Sequence, residues 1–358
     1  MKMNTNMNRL GWTAERERQF RETAQPGDGF GRVALEHTHM YRIYTERGDM
    51  LAEVAGKLRH QAQGRGDYPA VGDWVTVRYR EADNRAIIHS ILPRTSKFSR
   101  KLAGFVTDEQ IVAANVDTVF LVAALNQDFN VRRLERYLIL AWESGANPVI
   151  VLTKADLCGE DERRGKAAEA EHVAMGVPIY MISAAEGEGL DRLAPYFGEG
   201  QTVALLGSSG AGKSTLVNAL YGEAIMNVRE IREDDDKGRH TTTHRELVPL
   251  PGGGVLIDTP GMRELQLWHA DEGLGHGFRD VEELTAACRF DDCSHGNEPG
   301  CAVKEALRSG ALPADRYDSY LKLQRELAYL ARKEDKALQL KEKKRWKKLH
   351  SDMRKHHS

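Results

Sequence analysis

Nine consecutive residues, Gly207-Ser208-Ser209-Gly210-Ala211-Gly212-Lys213-Ser214-Thr215, have the types and spacing to hold a phosphate. They complete the pattern G-x-x-x-x-G-K-[ST]. Its glycines permit the turn in which successive backbone N–H groups and a helix N-terminus converge on phosphate oxygens. Lys213 is placed to reach β- and γ-phosphates, and the Ser214 hydroxyl to bind magnesium. A second donor set lies downstream. Cys288-x4-Cys293-x-His295-x5-Cys301 offers three thiolates and one imidazole, a closed tetrahedral set suited to one structural zinc ion. No ligand position is spare, so this site is expected to support folding and not catalysis. Cys158 is remote from it and reads as a buried thiol.

Four further segments complete a nucleotide site. Thr153-Lys154-Ala155-Asp156 resembles the guanine-reading N-K-x-D loop of GTPases. In that reading Asp156 accepts two hydrogen bonds, from guanine N1–H and the exocyclic amine, and the Lys154 stem packs over the base. Thr153 stands where asparagine is usual; it keeps a hydroxyl but loses the longer amide, which puts the anchoring to the phosphate loop in question. Ser183-Ala184 resembles the loop whose backbone supports guanine O6. Lys237–Thr243 looks like a first switch, in which Thr242 closes on magnesium when a γ-phosphate is present. Asp258-Thr259-Pro260-Gly261 is a D-x-x-G second switch: Asp258 holds the magnesium shell through water and the Gly261 N–H senses the γ-phosphate. Met262 follows directly, where Ras-type GTPases place a water-orienting glutamine. A thioether cannot orient water, so hydrolysis by the isolated chain should be slow and a partner should complete the site. His240 is the candidate for orienting water; contact with the partner or solvent is its competing role.

These segments need a scaffold. Strand-like runs at Asp117–Leu125, Pro148–Leu152, Val177–Ile182 and Thr202–Leu206 alternate with helical spacing at Val131–Glu143, Glu162–Met175 and Leu190–Tyr196. That rhythm describes a parallel sheet covered on both faces, with ligand loops at the carboxyl ends of its strands. The order of the motifs is guanine loop, S-A loop, phosphate loop, first switch, second switch. Ordinary GTPases begin with the phosphate loop, so this is a circular permutation: the same sheet, opened elsewhere. Upstream, short β-rich runs at Arg32–Thr45, Leu51–Leu58, Asp73–Tyr79 and Arg85–Leu92 suggest a small barrel, OB-like or SH3-like. Pro93–Lys101, with four cations in nine residues, reads as a basic linker that lies against phosphates or acts as a solvated hinge. Asp315–Leu340 carries helical apolar spacing through Tyr320, Leu323, Leu327 and Leu330.

At 358 residues two or three domains are expected. The 51 Lys/Arg nearly balance 53 Asp/Glu, but residues 331–358 hold 11 Lys/Arg against 4 Asp/Glu, which points to a polyanionic partner. No run of 18 apolar residues exists and the first dozen residues lack an apolar leader region. A soluble cytoplasmic protein without a membrane contact is the expectation.

Gly72-Asp73-Trp74-Val75, the permuted motifs, the Gly-Arg-His-Thr-Thr-Thr segment at 238–243 and the C-x4-C-x-H-x5-C knuckle together resemble the RsgA (YjeQ) family of ribosome small-subunit-dependent GTPases, over roughly residues 31–340. The resemblance implies an α/β P-loop GTPase domain, circularly permuted, with an N-terminal OB-like barrel and a C-terminal helical zinc-binding domain. The expected division is a flexible N-terminus at 1–30, the barrel at 31–95, the GTPase domain at 100–268, the zinc and helical domain at 269–340, and a basic tail at 341–358. It further implies Mg2+ bound with GTP, binding to the small ribosomal subunit and its 16S rRNA, late maturation of that subunit, release of another assembly factor, and hydrolysis stimulated on the subunit. A monomer is expected. The competing class is a GTP-regulated RNA-binding checkpoint in which hydrolysis is incidental. Thr153 and the basic tail are the departures from the family pattern.

Overall fold

Alternation of apolar side chains decides the central sheet. Along Thr118–Ala124, Val119 and Leu121 face one core while Phe120 and Val122 face another, and all four are buried. A strand apolar on both faces must be covered twice. The structure, a computed structural model, describes residues 6–37, 40–101, 109–174, 176–222, 246–258, 271–296 and 298–332. The chain forms two compact units, residues 1–100 with 109–265, and residues 101–108 with 266–358.

The first unit opens with a 3-10 turn, Met7–Leu10, and helix α1 (Ala14–Thr23). Strands β1 (Asp28–His37), β2 (Met40–Thr45) and β3 (Gly48–Val54) follow, then α2 (Gly56–Gln61), β4 (Trp74–Arg80) and β5 (Arg85–Ile91). Strand order β1-β2-β3-β5-β4, with β4 returning to β1, closes a five-stranded barrel. Its core is Val33, Tyr41, Ile43, Ala52, Val75, Val77 and Ile88. The single run expected over Arg32–Thr45 is two strands, and the one over Leu51–Leu58 stops at Val54 before α2.

From Asn6 onward the amino-terminal residues pack against the barrel. Trp12 stacks on Phe30 with ring centroids 3.7 Å apart and tilts against Trp74 at 4.9 Å. Met7 and Leu10 are buried. Aromatic burial of this size outweighs the ordering entropy of a short charged segment. Arg32 of β1, 1% exposed, donates to the carbonyls of Leu10, Gly72 and Asn115 and to Thr202 Oγ1. Burial pulls its pKa down to about 9, so it remains charged at neutral pH.

The basic stretch Pro93–Lys101 is also tied down. Arg94 forks onto the fully buried Asp73 at 2.8 and 2.7 Å and donates to the carbonyls of Gly66 and Tyr68, each at 3.0 Å. Burial pushes the Asp73 carboxyl up, against the pull of Arg94. A buried carboxylate requires such a partner, so Arg94 is neither a phosphate contact nor part of a solvated hinge. Lys97 pairs with Glu109 at 2.9 Å, and β6 (Lys97–Lys101) pairs with β7 (Glu109–Ala114).

The remaining elements of this unit are β8 (Thr118–Ala124), α3 (Val131–Ser144), β9 (Asn147–Thr153), α4 (Glu160–Ala174), β10 (Ile179–Met181), a 3-10 segment Leu190–Phe197, β11 (Thr202–Gly207), α5 (Lys213–Tyr221), β12 (Glu246–Pro249) and β13 (Val255–Asp258). The order β10-β9-β8-β11-β13 is parallel throughout, and β12 is antiparallel to β13. α3 and α4 cover one face; the 3-10 segment and α5 cover the other. Through the pair Leu35↔Glu246, β12 joins β1, so barrel and parallel strands form one continuous sheet. Arg42 of β2 forms an ion pair with the same Glu246.

The second unit holds α6 (Asp271–Gly277), α7 (Arg279–Ala286), α8 (Ala302–Ser309) and α9 (314–332). Tyr320 and Leu323 are buried, as their helical spacing implies. Arg316, 1% exposed, forks onto Asp280 at 2.9 Å through two nitrogens and lies over the Phe278 ring at 4.4 Å. Among the described residues no helix is long and apolar enough to cross a membrane.

Candidate nucleotide site and metal centre

The phosphate loop leaves β11, whose six residues are all buried, and enters α5 at Lys213. Gly207 lies so close to β8 that a Cβ there would meet the Val122 carbonyl oxygen at 2.3 Å. Gly212, the N-cap of α5, has φ 89°, a conformation that favours glycine. Lys213 Nζ donates to the carbonyls of Gly207 at 2.8 Å and Ser208 at 2.7 Å. Its ammonium is thus folded over the loop, with Ser214 and Thr215 following in the first turn of α5 and half-buried.

Thr153 resolves the question its identity raised. Its hydroxyl donates to the Ala211 carbonyl at 2.6 Å, so the guanine-type loop is anchored to the phosphate loop without an amide. Threonine reaches because Gly212 carries no side chain: a Cβ there would sit 3.3 Å from Thr153 Oγ1. Lys154 adopts φ 61°, which starts a short 3-10 turn, Ala155–Leu157, containing the half-buried Asp156. Ala155 N–H donates to the Ile182 carbonyl at 3.1 Å, tying this loop to Ser183-Ala184. Ser183 is fully buried, and its N–H donates to the Glu188 carbonyl at 3.0 Å.

Asp258 ends β13 opposite Leu205 of β11, and is 4% exposed. The carboxyl ends of β9, β10, β11 and β13 therefore carry Thr153–Asp156, Ser183-Ala184, Gly207–Thr215 and Asp258 along one edge of the parallel sheet. His240, Thr242, Gly261 and Met262 lie outside the described residues.

One residue of this edge escaped the sequence reading. Asp128, in the turn between β8 and α3, accepts a hydrogen bond from Ser208 Oγ at 2.8 Å. Its signal was position alone, since ligand loops in such sheets follow strand carboxyl ends.

In the second unit the donor atoms of Cys288, Cys293, His295 and Cys301 all lie within 4.8 Å of one another. His295 Nδ1 is 3.5 Å from the sulfurs of both Cys288 and Cys301, which are 3.9 Å apart. A tetrahedron with metal–sulfur bonds of about 2.3 Å and a metal–nitrogen bond of about 2.0 Å separates its sulfurs by about 3.8 Å and sulfur from nitrogen by about 3.5 Å. The set is thus spaced to grip one ion. Cys301 also caps α8, accepting from Lys304 N–H at 3.5 Å, and His295 reaches its place through φ 56°.

The permuted P-loop sheet, joined to a five-stranded barrel in a chain that also bears a Cys3His set, is that of a circularly permuted GTPase. A profile of the RsgA GTPase family matches residues 91–268. "Small ribosomal subunit biogenesis GTPase RsgA 1" of Oceanobacillus iheyensis is 50% identical over 329 residues, 92% of this chain and 93% of the relative. Among solved structures, the crystal structure of YjeQ from Thermotoga maritima aligns with a TM-score of 0.62 at 30% identity, over 84% of this chain and 99% of that one. That of YloQ, described as a circularly permuted GTPase, aligns at 0.60 and 27% identity, over 86% and 97%. The chain belongs to the RsgA GTPase family.

Proposed function

We propose that this chain is a GTP hydrolase that binds the small ribosomal subunit through its 16S rRNA and assists its late maturation, with turnover stimulated by the subunit. The observation that carries the reading is the gathering of Thr153–Asp156, Ser183-Ala184, Gly207–Thr215 and Asp258 on one sheet edge, in a chain 50% identical to a curated small-subunit biogenesis GTPase.

In this reading the N–H groups of 207–215 cradle the phosphates, Lys213 turns from the loop carbonyls to the β- and γ-phosphates, and Asp156 with Lys154 and Ala155 selects guanine, supported by Ser183 and Ala184. Ser214, Thr242 and Asp258 hold Mg2+, which neutralises charge on the phosphates. Gly261 reads the γ-phosphate and His240 orients the attacking water. Because Met262 cannot do so, the subunit is needed to complete the site. Zinc is the ion for Cys288, Cys293, His295 and Cys301: three thiolates and one imidazole at tetrahedral spacing suit it best. The protein acts in the cytoplasm as a monomer and helps release another assembly factor.

GTP turnover measured with and without purified small subunits, against matched ATP, tests the reading. Strong stimulation with GTP alone is expected. Equal turnover of ATP would refute the guanine assignment. GTP-dependent subunit binding without stimulated turnover would favour a checkpoint in which GTP only sets affinity, a role that Met262 also suits.

A further inference from the structure

A phosphate loop must hold its N–H groups in place before the ligand arrives, and this one has few side chains to do it with. Three attachments are visible. Lys213 Nζ bonds the carbonyls of Gly207 and Ser208, Thr153 bonds the Ala211 carbonyl, and Ser208 Oγ bonds Asp128 Oδ2. The first competes with the ligand, because phosphate binding draws on the same ammonium. The other two do not. Thr153 holds the end of the loop near α5, and Asp128 holds its beginning.

The Asp128 side is built for the purpose. Ser208 is 4% exposed while Asp128 reaches it from the surface, and a bond to a carboxylate is stronger than one to a neutral acceptor. The turn that presents Asp128 is fixed locally: Asp128 N–H donates to Asn126 Oδ1 at 3.0 Å and Phe129 N–H to the Asn126 carbonyl at 3.1 Å. Asn130 then caps α3 by accepting from Arg133 N–H at 3.0 Å. A carboxylate beside a polyphosphate site would repel the ligand unless balanced. Arg133 supplies the balance, donating to Asp128 Oδ2 at 2.8 Å and Oδ1 at 3.2 Å.

We propose that Asp128 is a positioning residue for nucleotide binding, holding the phosphate loop through Ser208, with Arg133 as the counter-charge that makes its carboxylate tolerable there. This rests on the reading of residues 207–215 as the GTP cradle. Asp128 acts through Ser208, so it should set affinity and leave the chemical step to the switches.

The test uses the full chain, with GDP and GTP affinities and steady-state turnover on small subunits. Asp128→Ala and Ser208→Ala should each weaken both nucleotides about tenfold, raising KM with kcat within about twofold. The double variant should be no worse than either single. Asp128→Asn, which keeps an acceptor, should recover most of the affinity. Arg133→Ala should weaken GTP more than GDP, by an amount that shrinks in high salt and is restored by adding Asp128→Asn. Unchanged affinity in Asp128→Ala, additive losses in the double variant, or a fall in kcat alone would overturn the inference. A folded wild-type chain that holds neither GDP nor GTP would instead sink the reading of the loop itself.

Discussion

The hydroxyl of Thr153 and the carboxylate of Asp156 stand three residues apart on one loop, and each can be removed without touching the other. Thr153→Val keeps the shape but takes the donor from the Ala211 carbonyl, a buried site. Such a loss costs about 1–3 kcal/mol, so the midpoint of denaturant unfolding should fall while Thr153→Ser stays near wild type. Asp156→Ala should leave stability unchanged and lower GTP affinity at least about a hundredfold, because the two bonds proposed for it are ones that only guanine can make. A competition assay against ATP reads the change; a variant that still prefers GTP as strongly would refute the role. The type of Thr153 was plain in the chain, but its attachment was not. Whether a short side chain can reach depends on the approach of Gly212, a distance set by the packing of β9 against the loop.

At the scale of elements, the Cys3His segment and the amino-terminal segment are held by opposite means. The first, between α7 and α8, is rich in turns and has little apolar material of its own, so metal should supply its stability. One zinc per chain is expected by elemental analysis, and chelation or Cys293→Ser should remove it and unfold the second unit. Retention of full helicity without metal would contradict this. The amino-terminal segment is held by Trp12, Phe30 and Trp74 and by Arg32, whose removal leaves the carbonyls of Leu10, Gly72 and Asn115 without that donor. Arg32→Ala should cost more than about 3 kcal/mol, measured by thermal or denaturant unfolding. Sequence reading found the metal segment because ligand types and spacing are local. It missed these arginine contacts, because Arg32 and Arg94 look like surface residues until the fold closes over them. β7 and β12 escaped for a related reason: each is short, and pairing, not composition, makes it a strand.

At the scale of the whole chain, the parallel sheet and its cyclic motif order were legible from periodicity and glycine placement. Barrel and nucleotide sheet lie in one compact unit, joined by Leu35↔Glu246 and the Arg42–Glu246 ion pair, and no composition shift marks such a join. Beyond residue 340 the chain carries eight Lys/Arg against two Asp/Glu. Removing residues 341–358 should weaken binding to small subunits and flatten its dependence on salt, since each phosphate contact adds to that slope. An unchanged slope would make the tail dispensable for RNA contact.

The join at Glu246 also sets a leash. Thr242 is four residues upstream, and four residues of extended chain reach about 14 Å at most. The threonine proposed to grasp magnesium is therefore moored to a rung shared with the barrel. Glu246 thus gives the proposed switch a fixed landing, one that the first barrel strand helps to pin.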